Sequence, residues 1–289
     1  MTVALPDFRL VRPASVAEAL AARRGEGLAR FMAGGTDMIP AVRRGLVAPA
    51  TLIDVSGIAE MRGIAIEGDT LRIGAAATLA EIESDPLVRR HLAGLAEAAA
   101  AVAGPTHRES ATVGGNLCLD TRCVYFNQSE WWRGANDFCL KYKGTVCHVA
   151  PGGARCYAAF SGDLAPALLV AAATVEIAGP DGRRTLPLAD LYREDGMAHL
   201  ALSADDLLVA VRVPRTPAPA SAYAKARVRG AIDFPLAGVA VSVLRDGETL
   251  KALRIALTGT NSRPFLVAGT EDFAGQKLDA PALARLDAL

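Results

Sequence analysis

At 289 residues, with 51% hydrophobic and 21% charged residues, the chain is long enough for two or three domains, each with its own core. Its formal net charge is zero, which argues against a non-specific nucleic-acid binder or a protein held on an anionic membrane. The opening MTVALPDFRLVRPAS has no basic start followed by an apolar core, and no apolar run reaches the ~18 residues of a membrane span, so a cytoplasmic protein with reduced thiols is expected.

The N-terminal stretch reads as α/β. VAEALAARR predicts a helix capped by Ser15, and LARFMAGG a short strand running into glycines. TDMIPAVRRG predicts a second helix, with Thr36 or Asp37 near its start, Pro40 in its first turn and Gly45 just past its end. ATLIDVSGI is a further strand, which completes a small parallel unit of ~55 residues. From residue 58, GIAIEGDTLRIGAAATLAEI predicts two strands and a helix, and HLAGLAEAAAAVAG a helix that ends at Gly104-Pro105. ATVGGNL begins a second glycine turn, DLAPALLVAAA is a buried helix, and TVEIAGPDGRRTLPL a hairpin turning at Pro-Asp-Gly. RTPAPA, residues 215–220, is the clearest linker. Beyond it lie a three-strand meander with Asp-Gly in one turn and a closing helix, ALARLDAL.

Two short patterns are suited to an anionic ligand. In MAGGTDM, residues 32–38, Gly34 and Gly35 stand between a strand and a helix start, where backbone N–H groups and the positive helix end are open to phosphate. An ordinary βα turn has the same composition, and neither GxGxxG nor the P-loop pattern is matched. In ATVGGN, residues 111–116, a second glycine pair is flanked by Thr112 and Asn116. Two such turns suit a dinucleotide gripped between two small domains.

All five cysteines fall between residues 118 and 156. Four follow the spacing Cys123-x15-Cys139-x7-Cys147-x8-Cys156, with no CxxC pair. In a reducing compartment metal ligation explains them better than disulfides do. Four thiolates hold either tetrahedral zinc or a four-iron cluster, and buried free thiols are the remaining reading. Trp131, Trp132, Tyr125, Phe126, Phe138 and Tyr142 are expected to fill the interior of this loop, and Cys118 to pack as a small buried hydrophobe. The loop has four basic residues, Arg133, Lys141, Lys143 and Arg155, against Glu130 and Asp137, a bias that suits docking of an acidic protein, with a solvated loop face as the other reading.

FMAGGTD, ATVGGN and SGDLAPAL together resemble the FAD-binding subunits of the molybdenum hydroxylases, the group of xanthine dehydrogenase and carbon monoxide dehydrogenase. In most members the GGN turn and the SDLAP-like segment are a few residues apart, whereas here Asn116 and Asp163 are 47 apart and the cysteine-rich segment fills the gap. VAGPTHR, GGNLC, DTRC, NQSEWWR, CLKYKG and DFPLAGVA are similar to the branch typified by the β subunit of 4-hydroxybenzoyl-CoA reductase, in which an inserted loop holds a 4Fe-4S cluster.

The resemblance implies an α+β architecture. It has a two-part PCMH-type FAD-binding fold with an inserted iron-sulfur loop, followed by a C-terminal α+β domain with a small antiparallel sheet. Its divisions would be an FAD subdomain at 1–57, a second at 58–214 with the insert at about 117–160, and a C-terminal domain at 221–289 that in other members continues further. FAD would be held by Met32, Ala33, Gly34, Gly35, Thr36, Asp37 and Met38, by Thr112, Gly114, Gly115 and Asn116, and by Asp163, Leu208 and Lys225. Cys123, Cys139, Cys147 and Cys156 would hold the cluster. Standing alone, Asp163 reads as a helix cap and Lys225 as a solvated strand-end charge. The implied partners are a molybdenum-cofactor subunit and a 2Fe-2S subunit, in a dimer of heterotrimers that takes electrons from reduced ferredoxin and dehydroxylates 4-hydroxybenzoyl-CoA; no nucleic acid or membrane is involved. The rivals are a related dehydrogenase subunit serving another aromatic or heterocyclic substrate, and a zinc-stapled, non-catalytic flavoprotein. No nicotinamide fingerprint is present, which disfavours NADH as donor.

Overall fold

The structure, a computed structural model, describes residues 5–25, 27–216 and 219–289. Three sheets follow one another along the chain. The first is parallel, ordered β1-β3-β2, from β1 (Arg9–Val11), β2 (Ala29–Met32) and β3 (Thr51–Asp54). Helix α1 (Val16–Arg24) connects β1 to β2 and helix α2 (Met38–Arg43) connects β2 to β3, as parallel pairing requires. Ser15 caps α1 by accepting from Glu18 N at 3.2 Å, and Gly45 leaves the α2 region at φ +66°.

The second sheet is antiparallel throughout, ordered β4-β5-β8-β6-β7. Its strands are β4 (Ile64–Glu67), β5 (Thr70–Gly74), β6 (Thr174–Gly179), β7 (Gly182–Pro187) and β8 (Leu207–Pro214). The central strand, β8, was not among the expected elements. Between β5 and β6 run the helices. A Thr78–Glu81 capping box starts α3 (Leu79–Ser84). The alanine-rich stretch, expected as one helix, is two, α4 (Pro86–His91) and α5 (Ala93–Ala100), because Leu92 leaves helical geometry at φ −142°. After α6 (Pro105–Arg108), the second glycine pair lies not in an open turn but in the first turn of α7 (Val113–Leu117), capped by Thr112. The cysteine-rich insert holds only α8 (Glu130–Ala135). Helix α9 (Leu164–Val170) is buried at all seven positions, since it packs on α5, α7 and the third sheet.

That third sheet, ordered β12-β11-β10-β9, consists of β9 (Ala220–Ala226), β10 (Ala237–Asp246), β11 (Thr249–Thr258) and β12 (Phe265–Leu266). The expected meander therefore gains a fourth strand. Gly94 on α5 lies so close to β9 that a Cβ there would stand 3.0 Å from the Ala222 backbone, so the small residues of α5 set this approach. A last helix, α10 (Ala280–Leu286), closes a satellite core with Leu250, Leu253 and Phe273. Of the expected linker, Pro217 and Ala218 lie outside the described residues. Among the described residues no helix is long and apolar enough to cross a membrane.

Candidate functional site: a cleft between the sheets and a four-cysteine cavity beside it

A cleft of about 480 Å³ opens where the first sheet, the α6–α7 segment and the third sheet meet. Every residue from Met32 to Met38 lines it, with Thr112, Gly115, Asn116, Asp163 and Lys225. The two glycine-bearing segments touch. A Cβ on Gly34 would overlap the Ser110 carbonyl, so only glycine lets them close on each other. Gly35 sits at φ +72°, with Ile39 and Met32 side chains 3.3 and 3.4 Å from where its Cβ would be. A β-branched residue there combines left-handed strain of ~1–3 kcal/mol with that crowding. Gly35→Val is therefore expected to weaken FAD binding by about tenfold or more. Gly63→Val, equally left-handed at φ +80° but in open space outside the cleft, should retain flavin. The FAD-to-protein absorbance ratio of the two purified variants tests this.

The structure does not bring two expected residues to the cleft. Gly114 faces away, its Cβ position 2.9 Å from the Ala75 side chain, and serves to pack α7 on the second sheet. Leu208 is in the core of β8, 4% exposed and paired with Ile177.

Asp163 occupies the N-cap position of α9, but its side chain makes no capping bond. That role passes to Asn116, whose Oδ1 accepts from Leu164 N at 3.0 Å. The Asp163 carboxylate instead accepts from the Tyr223 hydroxyl at 2.6 Å and pairs with Lys225 Nζ at 3.0 Å. Both charged side chains are under 5% exposed. Burial pushes the Asp163 carboxyl up, opposed by Lys225 and Tyr223; burial and the facing carboxylate push the Tyr223 hydroxyl up. Lys225 is thus no solvated strand-end charge. This cluster pins β9 against the start of α9 at the edge of the cleft.

Sequence reasoning missed two contributors. The β9–β10 loop supplies Arg229, Ile232 and Phe234 to the rim, tied down by Ile232 N donating to Ala103 O at 3.0 Å and by Asp233 accepting from Arg229 N at 3.0 Å. The base of the insert supplies Cys118, Leu119, Arg122 and Asn127 to the wall. Arg122 Nη2 donates to both oxygens of Asp37, at 3.0 and 2.9 Å. The DTRC context, a basic residue directly before a cysteine, was the available signal. Cys118 lines the cleft and is only partly exposed; packing about its sulfur pushes its thiol up to about 12.

The other four cysteines line one small cavity of about 10 Å³, with Lys141 and His148. Cys139, Cys147 and Cys156 are buried and Cys123 is partly so. Backbone N–H groups already point at two sulfurs: Phe126 N to Cys123 Sγ at 3.3 Å and Ala158 N to Cys156 Sγ at 3.5 Å. Burial pushes both thiols up, against those N–H groups and the nearby Lys141 charge. Among the described residues no three His, Cys, Asp or Glu side chains converge tightly enough to hold a single metal ion. Four sulfurs around one cavity are a donor set that suits either zinc or a polynuclear cluster.

The charges of the insert are not a free docking face. Lys141 is 7% exposed and bonds Asp120 Oδ1 at 2.8 Å and the Thr121 and Gly196 carbonyls at 2.8 and 3.0 Å. Arg133, 2% exposed, lies 4.4 Å over the Tyr142 ring and pairs with Glu130 at 2.8 Å. Lys143 shares Glu130, and Arg155 pairs with Glu194 at 3.2 Å. Each of these basic side chains thus has an acidic partner, which largely cancels the positive bias expected from charge counting. Trp131 likewise is not interior filling, being 80% exposed.

Residues 6–216 match the family described as the FAD binding domain in molybdopterin dehydrogenase. The aldehyde oxidoreductase FAD-binding subunit PaoB of Escherichia coli is 32% identical over 268 residues, covering 88% of this chain and 81% of that protein. The carbon monoxide dehydrogenase medium chain of Hydrogenophaga pseudoflava is 32% identical over 256 residues, covering 88% of this chain and 75% of its own. A solved structure of the Hydrogenophaga pseudoflava carbon monoxide dehydrogenase that lacks the Mo-pyranopterin moiety superposes with a TM-score of 0.78 at 29% identity, over 99% of this chain and 86% of that one.

Proposed function

Because the chain belongs to the family of FAD-binding subunits of the xanthine dehydrogenase and carbon monoxide dehydrogenase type, we propose that it is the FAD- and 4Fe-4S-containing electron-transfer subunit of an enzyme of the 4-hydroxybenzoyl-CoA reductase type. Four thiols around one cavity, in an insert whose base walls the flavin cleft, carry this reading. Bound FAD supplies the exchange between one-electron and two-electron carriers. The chain's own part is to hold. The Met32–Met38 segment, with Thr112, Gly115 and Asn116, would grip the dinucleotide, and Asp163 and Lys225 would fix the third wall. Cys123, Cys139, Cys147 and Cys156 would hold the cluster, and no residue of this chain would meet the substrate. Molybdenum and 2Fe-2S chemistry would come from partner subunits, and the electrons from reduced ferredoxin. The proposed divisions are 1–57, 58–214 and 221–289, consistent with one sheet in each, apart from β9 starting at Ala220.

A second reading keeps FAD and the family but assigns another substrate. It is favoured by the spread of its relatives, an aldehyde oxidoreductase and a carbon monoxide dehydrogenase among them. Purified without oxygen, the protein is expected to contain about one FAD and about four irons with as many acid-labile sulfides per chain. Zinc in their place would establish a zinc-stapled flavoprotein and end the cluster reading. With the co-purified subunits, reduced ferredoxin or a low-potential dye should support dehydroxylation of 4-hydroxybenzoyl-CoA and NADH should not. Turnover of a different aromatic or heterocyclic compound alone would select the second reading.

A further inference from the structure

Arg122 stands at the junction of the two sites. Its backbone exchanges two hydrogen bonds of 2.9 Å with Ala159, which fasten the base of the insert, and the next residue is Cys123. Its side chain belongs to the wall of the flavin cleft and not to the lining of the cysteine cavity. The guanidinium is 13% exposed at the side-chain level and is held by Asp37, at the end of the Gly34-Gly35 segment. That pairing uses Nη2 alone. Nη1 is sealed from solvent and has no hydrogen-bond partner.

A buried cationic donor without an acceptor is costly, and one that belongs to the wall of a ligand cleft is placed to be satisfied by the ligand. The bound acceptor here must be anionic or strongly polar, must enter the cleft, and must come near a glycine segment on which a dinucleotide's charged centre can approach the backbone. We propose that Arg122 binds the pyrophosphate of FAD with the part of its guanidinium that Asp37 leaves unpaired, turned to the cleft it walls, with Asp37 as the group that orients it. This rests on the family's FAD binding and is independent of the cluster. It makes the insert part of the cofactor site: the residue preceding a cysteine at the cavity's edge also reads the flavin nucleotide's charge. Asp37 neutralises part of the guanidinium, so the contact is a hydrogen bond from the remaining N–H groups rather than a general positive field.

The test uses the full chain with its co-purified subunits, stripped of flavin, and titrates FAD, ADP and riboflavin by calorimetry and flavin fluorescence. Arg122→Met is expected to weaken FAD and ADP alike by at least about tenfold, or about 1.4 kcal/mol, and to leave riboflavin unchanged. Arg122→Lys, which keeps the charge without the fork, should recover part of the loss. If Arg122→Met does not fold, Arg122→Gln, which keeps a neutral donor toward Asp37, carries the same comparison. Unchanged FAD and ADP affinities would overturn the proposal. So would weakening of FAD and riboflavin with ADP unaffected, which would put the guanidinium on the isoalloxazine. Wild-type protein that binds none of the three would instead overturn the flavin reading itself.

Discussion

Replacing Cys139 or Cys147 with serine is expected to abolish the four-iron signal, while Cys118→Ser keeps it. The three differ in place rather than in chemistry. Cys139 and Cys147 line the cavity and are buried, so removing either thiolate takes away one of the four sulfur ligands. Cys118 lies in the flavin wall instead and does not line the four-cysteine cavity. Iron and sulfide content and the paramagnetic signal of the reduced protein measure this directly. Iron lost on changing Cys118 but kept on changing Cys123 would show that the fourth ligand is misassigned. FAD should remain bound in the cysteine variants, though less tightly, because the base of the insert is part of its wall.

Lys225→Met should cost the fold ~3–5 kcal/mol at neutral pH, the usual penalty for leaving one member of a buried pair charged and alone. The remaining Asp163 sits in a site where burial already pushes its carboxyl up, and loss of the ammonium pushes it further. The sign of the pH dependence follows. An acid whose folded-state pKa is raised holds more protons folded than unfolded, so stability falls as pH rises from the unfolded carboxylate range through the folded value. The deficit of Lys225→Met against wild type should therefore shrink in mild acid and widen toward neutral pH. Chemical denaturation at several pH values reads it out. Adding Asp163→Asn should restore much of the loss, since the orphaned charge is gone and Tyr223 still has an oxygen to donate to. A deficit flat with pH would mean that the loss arises from packing.

What the sequence disclosed were residues of unusual type in unusual places. Glycine pairs after a strand, and cysteines gathered into one segment of a chain that otherwise avoids them, are legible because few other reasons exist for either. What it hid depended on contacts distant along the chain. Strand β8 is LLVAVRVP, buried on both faces, so it lacks the alternation by which a half-exposed strand is read. Asp163 looked like an ordinary helix cap because Tyr223 and Lys225, which claim it, lie 60 and 62 positions away. Counting charges within the insert misled for the same reason: Lys141 pairs with Asp120 upstream and Arg155 with Glu194 downstream, both beyond the window counted. Trp131 was given to the interior on hydrophobicity alone, and the amphipathic turn of α8 puts it outside while Arg133 goes in.

The contact of Gly34 with Ser110 has a bearing on biogenesis. The cleft takes its walls from Met32, Thr112, Asp163 and Lys225, in that order of emergence from the ribosome. The first glycine segment leaves early, in a unit whose parallel strands already need helical crossovers, yet it has nothing to close against until residue 110 arrives and no third wall until β9 pairs into its sheet. Contacts so far apart along the chain form slowly. Flavin then acts as a keystone set after the arch stands: once seated between the first and third sheets, it stabilises the folded chain by mass action.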